Sequence, residues 1–137
     1  MSAPFDAALP GTLLYLYVGS VDVAGDLAWY NEVLGAELLW RAQALGADVA
    51  AVRVGQGPAV VLADHRPVPS CMPIWAVEDL DAVIEWLEAT EWARGSVRVE
   101  VPDGPCVVLT DRSGNQVALL RQDRPDAMQR AYGTRAR

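Results

Sequence analysis

The fold is decided by one stretch, LLYLYVGSVDVAGDLAWYNEVLG, which occupies residues 13–35. Its opening residues are aromatic, aliphatic and β-branched, which is typical of a β-strand. After a short turn, Val23, Leu27 and Tyr30 recur at the spacing of one helix face. Ser20 or Asp22 is expected to cap this helix, and Gly35 is expected to end it. The stretch therefore predicts a strand, a turn and an amphipathic helix.

A second copy of this pattern follows in residues 71–92, CMPIWAVEDLDAVIEWLEATEW. A shift of 57 residues carries Asp22 onto Asp79 and Trp29 onto Trp86. The same shift aligns Val23, Leu27 and Tyr30 with Leu80, Ile84 and Leu87, Gly57 with Gly114, and Val60 and Leu62 with Val117 and Leu119. Because helix stripe, turn glycine and last strand all match, we interpret the chain as two copies of one supersecondary unit.

The first strand has two chemically different faces. Its alternation places Tyr15, Tyr17 and Gly19 on one side and Leu14, Leu16 and Val18 on the other. The helix has an aliphatic stripe, so it is expected to cover the aliphatic side of the strand. Tyr15 and Tyr17 are then expected to point away from the helix, into whatever the sheet encloses.

Composition excludes several classes of function. The chain has 137 residues, of which 52% are hydrophobic, enough for one compact domain with a core. Its net charge is -7 and all its basic residues are arginines, which disfavours nucleic acids and anionic membrane surfaces. No signal peptide and no apolar run of membrane-spanning length is visible, so a cytoplasmic protein is expected.

The remaining patterns give each copy the order β-α-β-β-β. Predicted strands cover residues 12–18, 36–41, 48–54, 59–64, 72–77, 96–101, 106–110 and 116–121, and the second helix covers residues 79–89. The predicted modules are residues 12–64 and 72–121, joined by a Pro-rich linker at residues 65–71. Residues 122–137 are expected to form a loose tail or a short docked helix.

Three motifs resemble the vicinal oxygen chelate superfamily, also called the glyoxalase, bleomycin-resistance and dioxygenase superfamily. They are VDVAGDLAWYNEVLG at residues 21–35, VEDLDAVIEWLEA at residues 77–89 and TDRSGNQVALL at residues 110–120, with Arg112 where the family usually has Pro. The resemblance implies an α+β fold of two βαβββ modules, whose half-barrel sheets enclose a ligand cavity. It also implies a homodimer, with an N-terminal strand that some relatives exchange.

Enzymes of this superfamily hold a divalent ion with His, Glu or Gln at equivalent strand positions. The resemblance places those positions at Tyr15, Val61, Met72 and Ala118. None of these side chains is a usual ligand for such an ion, so no metal and no cofactor is expected.

Nothing else in the sequence indicates catalysis by a nucleophile or by paired acids. His65 is the only histidine and lies in the linker, where it is interpreted as an exposed loop residue. Cys71 and Cys106 have no metal-ligand spacing, and both are expected to be buried thiols.

The aromatic residues indicate a binding function. Trp75 is expected in the core, and Trp29 and Trp86 are expected to pack beside their helix stripes. Trp40 and Trp92 are compatible with either a cavity rim or core packing. The predicted ligand-binding residues are Tyr15, Tyr17, Trp40, Met72, Ile74 and Ala118.

The replacement of metal ligands by aromatic and apolar side chains resembles one branch of the superfamily. Proteins of that branch confer resistance to bleomycin, mitomycin or enediyne drugs by sequestration. An aromatic or cationic small molecule is the expected ligand. One alternative is an enzyme of the same fold, an isomerase, lyase or dioxygenase, with a displaced or absent metal site. The other is a non-catalytic domain that serves oligomerisation or regulation.

Overall fold

A computed structural model describes residues 11–90 and 95–133. Its elements follow in chain order as β1 (Leu13–Gly19), α1 (Val23–Leu34), β2 (Glu37–Ala44), β3 (Ala47–Arg53), β4 (Ala59–Ala63), β5 (Cys71–Ala76), α2 (Leu80–Glu88), β6 (Val97–Val101), β7 (Gly104–Thr110), β8 (Gln116–Leu120) and α3 (Ala127–Tyr132). The fold is α+β, and the order β-α-β-β-β occurs twice, as the sequence predicts.

The described residues form two compact units. The α1 unit contains residues 15–72 and 126–133, and its strands are ordered β2-β3-β4-β1. The α2 unit contains the described residues 11–14, 73–90 and 95–125, and its strands are ordered β6-β7-β8-β5. Within the described part of the C-terminal segment, helix α3 lies against strand β2 of the α1 unit.

The two units have the same strand register when one is shifted onto the other by 57 residues. In the α1 unit, β1 pairs in parallel with β4, and Tyr17 lies opposite Val61. In the α2 unit, β5 pairs in parallel with β8, and Ile74 lies opposite Ala118. A shift of 57 residues carries the first pair onto the second. It also carries the pairs Ala51↔Val61 and Trp40↔Ala51 onto Val108↔Ala118 and Val97↔Val108.

Both main helices begin at the predicted aspartate. The Asp22 carboxylate accepts a hydrogen bond from the Gly25 N–H at 3.1 Å, and the Asp79 carboxylate accepts one from the Ala82 N–H at 3.0 Å. These bonds satisfy N–H groups that have no partner inside the helix. At the other end of α1, Gly35 adopts a φ of 64°, a conformation that costs glycine no steric strain.

Helix α2 buries its predicted stripe, whereas α1 does so only in part. Leu80, Val83, Ile84 and Leu87 of α2 form a core cluster with Val77, Val107 and Leu119, and Trp75 and Trp86 pack against that cluster. In α1 only Val23 is fully buried. Trp29 meets the ring of Tyr30 edge to face at 5.2 Å but is 50% exposed, so it packs beside the helix stripe only in part.

The difference between the two helices follows from the strands beneath them. Helix α1 lies against β2, β3 and β4, where Ala50 and Val52 occupy the positions that Val107 and Leu109 occupy in the α2 unit. Shorter side chains in the sheet offer less apolar area to the helix above them. Of the helices in residues 11–90 and 95–133, none has the length and apolar character needed to span a membrane.

Candidate functional site

One row of side chains crosses all four strands of the α1 unit. Tyr17 of β1 lies opposite Val61 of β4, Val61 lies opposite Ala51 of β3, and Ala51 lies opposite Trp40 of β2. Tyr17 and Trp40 are thus three strand spacings apart, which is about 14 Å between their backbones. Two aromatic side chains flank a floor made of a valine and an alanine.

This row belongs to one apolar cluster, which we call the aromatic face. Its buried members are Leu39, Trp40, Ala42, Ala51, Ala59 and Val61, and its partly buried members are Tyr15, Tyr17, Val49 and Met128. Tyr15 and Tyr17 therefore share this face, as their alternation along β1 predicts. Trp40 is 8% exposed and joins them there. Met128, from helix α3, packs against the same cluster.

The linker folds back over the end of β1 and brings a polar group to the aromatic face. A Cβ atom on Gly19 would lie 1.9 Å from the Pro67 carbonyl oxygen, so only glycine allows the two backbone segments to approach this closely. The Gly19 N–H also donates to the Ser70 carbonyl at 3.3 Å. This approach places His65 beside Tyr17.

Tyr17 and His65 form a short side-chain hydrogen bond. The Tyr17 Oη and His65 Nε2 atoms are 2.6 Å apart, and the two rings meet edge to face. A neutral His65 that carries its proton on Nδ1 accepts a hydrogen bond from the Tyr17 hydroxyl at Nε2. A protonated His65 instead donates a hydrogen bond from Nε2 to the Tyr17 oxygen. The pair thus provides both a donor and an acceptor at one end of the aromatic face.

Arg66 adds a positive charge beside this pair. Its guanidinium carbon lies 5.2 Å from the centre of the Tyr17 ring, within the range of a cation–π contact. Burial raises the pKa of Tyr17 above its ordinary value of 10.0, and the charge of Arg66 opposes that rise. Tyr17 is consequently a neutral phenol, and a hydrogen-bond donor, at physiological pH.

The six predicted ligand-binding residues occupy different places. Tyr15, Tyr17 and Trp40 lie together on the aromatic face. Met72 is 5% exposed and belongs to the α1 unit. Ile74 and Ala118 are paired neighbours in the α2 unit. In the α2 unit, Ile74, Ala118, Val108 and Val97 form the row that is equivalent to Tyr17, Val61, Ala51 and Trp40. All four side chains of the α2 row are aliphatic.

The positions at which the superfamily's enzymes bind a metal do not fit a divalent ion. Tyr15 presents a phenol, and Val61, Met72 and Ala118 offer no oxygen or nitrogen ligand. Within residues 11–90 and 95–133, no group of three or more His, Cys, Asp or Glu side chains is placed to hold one. The polar side chains that the described linker brings beside Tyr17 are those of His65 and Arg66.

A cleft of about 400 Å³ lies in the α2 unit between α2 and strands β6 and β7. Three arginines and three acidic residues line it, namely Arg98, Arg121, Arg124, Asp81, Glu100 and Asp123. Arg121 binds Asp123 through two hydrogen bonds of 2.9 and 3.3 Å, and Arg124 is paired with Glu100. These charges neutralise one another, so we interpret the cleft as a structural ion-pair network.

The two cysteines differ in environment, contrary to expectation. Cys106 is buried, and burial raises the pKa of its thiol to about 11. Cys71 is exposed, which corrects the prediction that both thiols are buried. It is the first residue of β5, where the chain leaves the surface linker.

Sequence patterns did not identify His65, Arg66 or Met128 as part of this face. His65 is exposed, as expected of a loop residue, yet it bonds a tyrosine 48 positions earlier in the chain. No periodicity in the sequence encodes such a contact. The sequence does contain one signal, because His65, the only histidine, lies next to Arg66 in a short linker. Trp92, which was compatible with a cavity rim, lies outside the described residues.

Several solved structures resemble this chain. Methylmalonyl-CoA epimerase from Mycobacterium tuberculosis aligns with a TM-score of 0.67 at 19% identity over 84% of this chain and 90% of that one. A glyoxalase/bleomycin resistance protein/dioxygenase superfamily member from Vibrio splendidus 12B01 aligns with a TM-score of 0.59 at 12% identity over 78% of this chain and 96% of that one.

A larger protein, homoprotocatechuate 2,3-dioxygenase from Brevibacterium fuscum, aligns with a TM-score of 0.60 at 18% identity over 88% of this chain and 40% of that one. No protein-family model matches the sequence, and the comparison with curated proteins finds no match either. Identities this low establish a shared fold and leave activity open. The chain thus has the glyoxalase/bleomycin resistance/dioxygenase fold, the fold of the vicinal oxygen chelate superfamily.

Proposed function

We propose that this protein binds a flat, largely apolar small molecule on the aromatic face without a metal ion, and that it acts by sequestration. The observation that carries the proposal is the row Tyr17, Val61, Ala51 and Trp40. The small residues at its centre, Val61 and Ala51, are 7% and 0% exposed in this structure, and once uncovered they give a planar ring a floor between two aromatic rings that can stack against it. The Tyr17–His65 pair gives the ligand one polar anchor.

A drug of the bleomycin, mitomycin or enediyne class is the ligand that we propose, and resistance to that drug is the biological role. Two features support this class. An aromatic binding face suits a planar chromophore, and a net charge of -7 favours a ligand that carries a positive group. No position that the superfamily uses for a metal ligand fits one, which favours holding the drug over converting it.

The test measures binding and chemical fate together. Purified protein is titrated by calorimetry with bleomycin and with mitomycin C, before and after dialysis against a chelator. We expect one molecule bound per chain, an affinity that the chelator does not change, and drug recovered intact by mass spectrometry after denaturation. Elemental analysis should find no stoichiometric metal. Product formed in excess over protein would refute sequestration.

Two variants separate binding from folding. Tyr17→Ala removes one aromatic wall and should weaken binding by about two- to thirteenfold, because an aromatic pair contributes about 0.5–1.5 kcal/mol beyond area burial. Leu62→Ala, in a core residue that is 1% exposed, should lower the free energy of unfolding by about 2–5 kcal/mol. If Tyr17→Ala instead unfolds the protein as readily as Leu62→Ala, the tyrosine fills a core and the binding proposal fails.

A proton-transfer enzyme is the second candidate, and the Tyr17–His65 hydrogen bond favours it. When a substrate replaces the Tyr17–His65 hydrogen bond, neutral His65 is free to take a proton at Nε2 from a carbon next to the substrate's carbonyl group, and the Tyr17 hydroxyl is free to donate to the carbonyl oxygen. The electron pair of that C–H bond then moves toward the carbonyl oxygen, where the Tyr17 hydroxyl or the Arg66 guanidinium can stabilise it. The likeness to methylmalonyl-CoA epimerase, which shares only the fold, suggests a thioester as the first substrate to test.

Deuterium exchange decides between the two candidates. Methylmalonyl-CoA is incubated with protein in D₂O, and NMR follows the proton on its α-carbon. Exchange that exceeds the uncatalysed rate and is lost in His65→Gln would favour the enzyme. Exchange that His65→Gln does not alter would exclude a role for the pair. If no exchange occurs while an intact drug is bound, sequestration stands.

A further inference from the structure

We infer that the C-terminal strap, residues 126–133, is a gate that competes with the ligand for the aromatic face. This inference rests on the proposed binding function and adds regulation to the same site. The juxtaposition that carries it is Met128 of α3 packed on the cluster that contains Tyr17 and Trp40.

The strap is attached to the aromatic face at two points. Met128 contacts the cluster itself, and Gly133 forms an antiparallel backbone bridge with Trp40. Helix α3 as a whole lies along β2, the strand that carries Trp40. A planar ligand placed between Tyr17 and Trp40 has to displace the strap, because Met128 already contacts the same cluster.

The strap is held weakly compared with the other helices. Helix α3 has six residues, Ala127–Tyr132, and buries none of them completely. Its N-cap residue, Asp126, makes no side-chain capping bond and adopts a φ of 57°, a left-handed conformation that is strained for a residue other than glycine. A short helix with few buried contacts opens at low cost in free energy.

A cover that has to open before the ligand binds lowers the apparent affinity of the ligand. If the face is open for only a fraction of the time, the measured dissociation constant is the intrinsic one divided by that fraction. Methionine is well suited to this role, because its flexible thioether packs against aromatic rings and can be replaced there by another apolar surface. Loosening the strap should therefore tighten ligand binding.

The experiment uses two full-length variants that loosen the strap differently. Met128→Ala removes the side chain that covers the face. Gly133→Ala leaves Met128 in place but introduces a Cβ atom 2.3 Å from the Gln129 carbonyl oxygen, so the end of the strap has to shift. Gln129→Ala, at an exposed position on the same helix, is the matched control, and Met128→Leu tests whether an apolar side chain of similar size restores the cover.

The probe is 2-naphthol, a planar bicyclic molecule, and calorimetry measures its dissociation constant. Met128→Ala and Gly133→Ala should each bind it about two- to tenfold more tightly than the wild type, the range that a methionine–aromatic contact corresponds to. Gln129→Ala and Met128→Leu should bind it with wild-type affinity.

A second readout needs no ligand. In protein labelled with 6-fluorotryptophan, the ¹⁹F resonance of Trp40, assigned with Trp40→Phe, should shift in Met128→Ala and Gly133→Ala but not in Gln129→Ala. If Tyr17→Ala weakens probe binding but both strap variants bind the probe with wild-type affinity, the gate proposal is wrong and the binding proposal stands. If no full-length form binds the probe and the Trp40 resonance stays unchanged, both proposals fail.

Discussion

The proton on Tyr17 is held more tightly in the folded chain than in the unfolded one, because burial raises its pKa above the ordinary 10.0. A raised folded-state pKa stabilises the protein fully below about pH 10, and that contribution is lost as the pH rises through the folded value. The free energy of unfolding should therefore fall more steeply for the wild type than for Tyr17→Phe between about pH 9 and about pH 11.

Urea unfolding of both proteins across this range measures the difference directly. Tyr30, whose pKa is also raised by burial, is present in both proteins and cancels in the comparison. A difference between wild type and Tyr17→Phe that stays constant with pH would show that the folded environment of Tyr17 does not disfavour its ionisation.

Thiol reactivity should separate the two cysteines. Cys71 is exposed, whereas burial raises the pKa of Cys106 to about 11 and leaves almost no thiolate at neutral pH. Native protein should therefore release one equivalent of thionitrobenzoate from Ellman's reagent per chain at pH 8, and denatured protein should release two. Cys71→Ser should abolish the native reaction. If two equivalents react in the native state, Cys106 is not shielded.

At the scale of elements, the position of the linker depends on a single glycine, Gly19. Gly19→Ala places a Cβ atom against the Pro67 carbonyl oxygen, so the linker has to move away from β1. We expect a loss of about 1–3 kcal/mol in the free energy of unfolding, typical of overpacking. His65 moves with the linker, so the Tyr17–His65 bond should break as well.

Gly57→Ala is the matched control for this substitution. Its Cβ atom would meet only the Val54 carbonyl oxygen, at 3.6 Å, which is an ordinary contact. Because alanine restricts the unfolded chain more than glycine does, the control should change stability little or raise it by up to about 1 kcal/mol. Chemical denaturation measures both variants. Equal stability of the two would mean that the linker does not lie against Gly19.

At the scale of elements, the sequence predicted most of the fold, because hydrophobic periods and turn residues are local signals. The bounds of β1, α1 and α2 agree with expectation to within a residue or two, and the strand register matches between the units at the 57-residue shift of the sequence repeat. A short docked helix was one of the two expectations for the C-terminal segment, but its contact with β2 and the Tyr17–His65 contact were not predicted. Both depend on segments far apart in the chain, and neither segment has a periodic pattern.

The exposure of Trp29 shows a second limit of the same reasoning. Trp29 and Trp86 occupy equivalent positions of the repeat, and Trp86 packs against the core of its unit. Their sequence patterns alone predict equal burial. What differs is the sheet beneath each helix, where Ala50 replaces Val107. Burial of a helix residue is thus set as much by the size of its partners as by its own position.

At the scale of the whole molecule, the outer surface of α1 is a candidate protein interface. Exposed apolar side chains cluster there and just beyond the two ends of the helix, namely Val21, Trp29, Val33, Leu34 and Leu38, with exposed fractions of 83, 50, 59, 43 and 38%. Patches of this kind mark protein interfaces. We propose that a second copy of this chain covers this surface.

Sedimentation velocity tests the expected self-association. Trp29→Glu places a charge at the centre of the surface and should convert a dimer into a monomer. The flanking acidic residues Asp22, Glu32 and Glu37 are all exposed and repel their counterparts in a second copy, so added salt should strengthen the wild-type dimer. Val97→Glu is the control, since Val97 is 54% exposed on strand β6 of the α2 unit. If Val97→Glu dissociates the dimer and Trp29→Glu does not, the interface lies at β6. A wild-type protein that stays monomeric at high salt and high concentration would show that α1 is not a self-association surface.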